Sequence, residues 1–198
     1  MMLDLKTENK KDKTISISKA NLFGFLLTLP VLLIYFIPFY FLNFDETIIP
    51  NFKQSVRQIG IEYGSFGLFL IIIAISIVGV VLHELIHGLC WGLFAKKGFK
   101  SITFGVVWKM LTPYCHCKET LQVNQYIFGA IMPGIILGLL PAVYAVIYGS
   151  FGILLFGIFF TIAAAGDILM VYLLRKERMD NLVQDHPSEV GCYIYQKQ

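Results

Sequence analysis

Residues 66–94 read FGLFLIIIAISIVGVVLHELIHGLCWGLF. The run is long enough to cross a bilayer as one helix, which needs about 20 apolar residues. With Tyr and Cys set aside, its only titratable side chains are His83, Glu84 and His87. An ionisable group in hydrocarbon costs several kcal/mol unless it is paired or metal-bound, so three within little more than one helical turn mark a site. Working outward, three more blocks have spanning length, near residues 22–42, 126–148 and 151–174. Together they add one further group, Asp167; every other Asp, Glu, Lys, Arg and His falls in a tail or a connecting loop.

With 57% hydrophobic and 15% charged residues and a mean hydropathy of +0.70, the chain is not a water-soluble domain. The expected fold is an all-α integral membrane protein of about four transmembrane helices. A short β-hairpin-like segment, cytoplasmic or re-entrant, accompanies them. Residues 1–20 and 176–198 read as cytoplasmic tails around one membrane-embedded domain, 21–175. The first block is too long in its apolar core for a cleaved signal peptide, and no small-residue cleavage site follows it. Pro30 and Pro38 suggest a kinked anchor helix. A net charge of +3 is too small to argue for nucleic acid, but its distribution is informative. Lys6, Lys10, Lys11, Lys13 and Lys19 precede the first block, and Lys96, Lys97, Lys100, Lys109 and Lys118 lie between the second and third. Arg175, Lys176 and Arg178 follow the fourth. The excess of cations on cytoplasmic loops then places both termini and the second loop inside. The cysteines give no disulfide framework: Cys115, Cys117 and Cys192 fall on the reducing side, and Cys90 lies in a span. The polar tail after Met179 reads as poorly ordered.

Residues i and i+4 share one face of a helix, so His83 and His87 can direct their imidazoles at one zinc ion. Glu84 is then placed as a general base for a zinc-activated water. A catalytic zinc takes three protein ligands, and Asp167 is the best third one. His87 precedes Phe94 by as many residues as Asp167 precedes Leu174, which sets both about 10 Å from the inner ends of their helices. The small residues Ala163, Ala164, Ala165 and Gly166 would permit close approach of the two helices. The other reading of Asp167 is a carboxylate paired with a histidine without touching metal. Cys115-His116-Cys117 is the runner-up ligand source, read more simply as a reduced structural or substrate-facing segment. Glu119 could orient a ligand, though its spacing does not require it. SITFGVVWKMLTPY, residues 101–114, reads as a hairpin whose edge could receive an extended peptide, or as a plain loop strand. In the third span, Met132-Pro133-Gly134, Gly138 and Pro141 read as kinking and close packing rather than as a broken helix. Trp91 reads as a core or lipid contact more than a site residue.

An HELIHG motif in one span, Gly166-Asp167 in a later one and PYCHCKE between them resemble the zincin-like peptidases of the DUF3267 family, small bacterial membrane proteins. The likeness covers about half of the chain, from Gly79 to Leu174. More distantly the layout is similar to site-2 intramembrane metalloproteases. There, however, the aspartate precedes a glycine within an Asn/Pro-containing motif, whereas here Gly166 comes first. The resemblance implies His83, His87 and Asp167 as zinc ligands, Glu84 as general base and a bacterial cell membrane location.

The expected activity is a zinc-dependent membrane-embedded endopeptidase acting on a membrane protein or peptide segment. The alternative is a non-catalytic zinc-binding membrane adaptor or structural protein, which would have no need of Glu84. Metal transport is weaker, since a single site without further intramembrane ligands makes a poor pathway.

Overall fold

The computed structural model describes residues 10–43, 45–108, 112–186 and 189–196. Lys6, Lys109 and the tip of the expected hairpin lie outside the described residues. The elements run β1 (Lys10–Ile15), α1 (Ile17–Leu42), α2 (Ile48–Gly92), a 3-10 turn (Gly98–Ser101), β2 (Ile102–Val107), β3 (Thr112–Cys117), β4 (Leu121–Gln122) and α3 (Val123–Pro133). A π-helical turn (Gly134–Leu139), α4 (Leu140–Tyr148), α5 (Phe151–Ala163), α6 (Ala165–Leu174), β5 (Leu182–Asp185) and β6 (Val190–Tyr195) follow.

Three stretches are long and apolar enough to cross a membrane: Ile17–Leu42, Ile48–Gly92 and Val123–Tyr148. A fourth forms if α5 and α6, bent by 46° at Ala164, count as one. The protein is therefore mostly helical with three to four candidate spans, and their apolar surfaces suggest a membrane protein. The most apolar window of α2 is only 6% buried. The connection read as a loop before residue 66 is instead mostly helical. α2 begins at Ile48 and turns at Gly64, whose φ of 72° lies in the region glycine tolerates.

By contacts the chain divides into two compact units. One comprises Met1–Phe25, Glu84–Pro133 and Ala165–Gln198. Its core gathers Trp91, Cys117, Leu121, Val123, Tyr126, Ala130, Leu174, Val183, Cys192 and Ile194. A four-stranded antiparallel sheet of order β1-β6-β5-β4 and a two-stranded sheet β2-β3 belong to it. The expected hairpin is present, with Thr103 opposite His116 and Phe104 opposite Cys115. The tail expected to be poorly ordered is a correction: it forms β5 and β6. Cys192 and Ile194 alternate inward along β6 with no exposed surface, and β1 supplies the partner edge, Lys10 opposite Tyr195. The first and last strands are thus neighbours.

The other unit comprises Leu26–His83 and Gly134–Ala164. Val31, Tyr35 and Phe39, each one turn apart on α1, pack with Ala142, Ala145, Leu154 and Ile158. The Tyr35 and Thr161 hydroxyls are hydrogen-bonded at 3.0 Å, and Asn43 Nδ2 donates to the Val146 carbonyl. α1 continues through Pro30 and Pro38 as one helix. The π-helical turn follows Pro133, which cannot supply the backbone donor that a regular turn would use. Within that turn Gly138 lies against Thr161, the close packing expected of the third span.

Candidate metal centre

His83, Glu84 and His87 occupy the last turns of α2, and Asp167 the first turn of α6. His87 is 4% exposed. Its Nδ1 lies 2.9 Å from the Gly129 carbonyl oxygen, and its Nε2 lies 3.2 Å from Asp167 Oδ1. A carbonyl oxygen only accepts, so Nδ1 carries the hydrogen. A neutral ring then turns the Nε2 lone pair toward a carboxylate oxygen. Two acceptors at that distance repel, and the arrangement needs a proton or a cation between them. His83 lies one turn before His87 on the same helix. His83, His87 and Asp167 each offer one ligand atom, all within 4.8 Å of one another. Zinc takes imidazole nitrogens and carboxylate oxygens at about 2.0–2.2 Å, so donor atoms gathered this closely suit one shared ion.

Local sequence explains the geometry. The small residues before Asp167 do more than permit packing: the chain bends among them, and a new helix begins at Ala165 with Asp167 in its first turn. Gly129 is required by its neighbour, because a Cβ there would lie 2.1 Å from the Trp91 ring. Without one, α3 comes close enough for its carbonyl to reach His87. Trp91 stacks on His87 at 4.9 Å and on Tyr126 at 5.1 Å, and its Nε1–H donates to the Tyr126 carbonyl. It buttresses the histidine from within the core. Gly88 has a similar reason: a Cβ there would meet Phe104 at 2.5 Å, so the β2-β3 hairpin sits on α2 one turn beyond Glu84.

The Cys-His-Cys segment does something else. The Cys115 thiol is pushed well up by burial, with the charges of Glu84 and Asp185 adding to the effect, and burial likewise raises Cys117. Among the described residues, the group able to share an ion is His83, His87 and Asp167, and neither thiol belongs to it. His116 Nδ1 lies 3.0 Å from Asp185 Oδ2, and the Tyr126 hydroxyl donates to the other Asp185 oxygen. That carboxylate holds the His116 imidazole above its ordinary pKa. Glu119 accepts from the backbone N–H groups of Lys96 and Lys97 and from the Ser101 hydroxyl. It therefore staples the chain after α2 to the base of the hairpin. Asp185, Tyr126 and Gly129 escaped the sequence reading. The alternating pattern VGCYIY was the one available sign that the tail forms strands.

The sequence profile of DUF3267, described as a putative zincin peptidase, matches residues 76–181. The chain belongs to DUF3267. No curated protein and no solved structure gives a match to it. The DUF3267 region holds His83, Glu84, His87, Gly129 and Asp167, together with the hairpin. A zincin peptidase implies zinc, and the donor set suits that ion: two imidazoles and a carboxylate, with one imidazole anchored through its other nitrogen to a backbone carbonyl.

Proposed function

We propose that the protein is a zinc-dependent, membrane-embedded endopeptidase of the HExxH type, with a site-2-protease-like layout. His83, His87 and Asp167 would hold the ion, which when bound polarises the scissile carbonyl and acidifies water. The observation that carries this reading is that His83, His87 and Asp167 each bring one ligand atom within 4.8 Å of the others. An ion shared among these atoms would make Asp167 a direct ligand rather than a mere partner of the histidine. Glu84, on the turn between the two histidines, takes the proton from the attacking water and delivers it to the leaving amine. The apolar surround raises the strength of every charge interaction in the site.

The substrate class is a membrane protein or an extended peptide segment. β2 pairs only with β3 among the described residues, so an extended segment could add along the hairpin edge. The pairing of β1 with β6 supports an even number of crossings, with both termini on the same face of a bacterial cell membrane. The cation distribution makes that face the cytoplasmic one.

Glu84→Gln tests the chemistry. The variant should keep its zinc and lose peptidase activity by about 10²–10⁴-fold. Retention of the wild-type rate would remove Glu84 from the reaction and favour the adaptor alternative.

A further inference from the structure

We propose that a groove beside the start of α1 and the end of α6 binds the phosphate headgroup of an anionic phospholipid. The inference rests on the membrane-embedded reading but not on the metal centre. β1 leads into α1 through Ser16 alone, and α6 gives way at once to Arg175 and Lys176. Both segments therefore stand where an apolar helix meets a polar boundary.

Together they line a hollow of about 690 Å³ that includes Lys11, Lys13, Arg175 and Lys176 against the single carboxylate of Asp12. An adjoining hollow of about 450 Å³ shares Lys11, Lys13 and Lys176 and adds Glu177 and Arg178, the latter held by Asp180, which leaves Arg175 and Lys176 facing Asp12. Glu177 is already engaged by Lys11 and Lys13, and Lys13 also donates to the Leu173 carbonyl at 2.9 Å. These contacts tie the two segments together and preform the groove. Arg175 lies over the Tyr172 ring, 3.4 Å from its centroid, with its guanidinium exposed.

The remaining cations outnumber the anions, and a phosphate oxygen accepts short charge-assisted hydrogen bonds from such groups. The apolar side selects a lipid over a free anion. Ile17, Leu22 and Phe25 on α1 and Tyr172 on α6 are all large, apolar or aromatic, and more than 40% exposed. Acyl chains would cover them while the headgroup occupies the groove, with Tyr172 in the interfacial position that tyrosines favour.

The test is native mass spectrometry of the full chain in detergent, offered phosphatidylglycerol or phosphatidylcholine with identical acyl chains. Phosphatidylglycerol should be retained about tenfold better. Arg175→Gln with Lys176→Gln should abolish that preference without changing the melting temperature. Lys53→Gln with Arg57→Gln, which removes the same charge elsewhere, should keep the preference. Equal retention of the two lipids overturns the groove while leaving the membrane reading intact. Equal loss in both double variants also overturns it, as a bulk charge effect. Displacement of the lipid by millimolar inorganic phosphate makes it a free-anion site and overturns the lipid assignment. Retention of neither lipid removes the membrane reading as well.

Discussion

Among the described residues, two of the histidine–aspartate pairs are nearly equal in length, His87–Asp167 at 3.2 Å and His116–Asp185 at 3.0 Å, and their surroundings differ. In the first, the other ring nitrogen is committed to the Gly129 carbonyl, and the carboxylate stands at the nitrogen that remains. A second histidine stands one turn away on the same helix. In the second pair, the carboxylate also receives the Tyr126 hydroxyl, and the neighbouring thiols are held protonated by burial. The first pair lies within 4.8 Å of a third ligand atom, from His83. The second has the Tyr126 hydroxyl as its third member. Both are His–Asp contacts, and what separates them is which donors the backbone and the neighbours bring.

Exchanging the pairs as targets should break this symmetry most visibly. Asp167→Ala is expected to weaken zinc binding by more than about 100-fold in a competition titration with a chelator. Asp185→Asn should leave zinc affinity unchanged. It should instead cost about 2 kcal/mol, seen as a fall of about 4–8 °C in melting temperature. Zinc loss in the Asp185 variant, with retention in the Asp167 variant, would reverse the assignment and return attention to Cys115, His116 and Cys117.

A smaller effect is expected where the two regions meet, at the ring that stacks on both His87 and Tyr126. Gly129→Ala drives a methyl into Trp91 and should destabilise the protein by about 1–3 kcal/mol. It should also reduce zinc affinity about tenfold, because the carbonyl that orients His87 is displaced. Unchanged affinity in a folded variant would show that His87 needs no such anchor.

The smallest effect is on pH dependence. Asp185 raises the folded-state pKa of His116, so the stabilisation from this pair is fully present below the unfolded value of about 6.5. It fades as pH rises through the higher folded value. Melting temperatures measured between pH 6 and 9 should fall more steeply for the wild type than for His116→Gln. Parallel curves would mean that the pair contributes nothing measurable.

Much of this arrangement can be read in the chain itself. HELIHG announces a two-histidine helix face because i and i+4 are fixed by helical geometry. Asp167 stands out because a carboxylate within an apolar block is costly. The hairpin is legible in its β-branched and aromatic residues. Long-range geometry is what the chain hides. Gly129 looks like one small residue among many in an apolar helix, and its importance comes from a tryptophan 38 positions earlier. Asp185 sits in a polar tail whose strands pair with each other, with β4, and with β1 from far along the chain. The bend at Ala164 reads from sequence as a stretch of small packing residues, since composition does not distinguish close contact from a break in the helix.

The most direct test of the account is the zinc content per chain of detergent-purified protein, measured by elemental analysis beside His87→Ala. The account predicts about one zinc in the wild type and almost none in a folded His87→Ala variant. A metal-replete wild type without zinc, or a variant that holds as much zinc as the wild type, would contradict it.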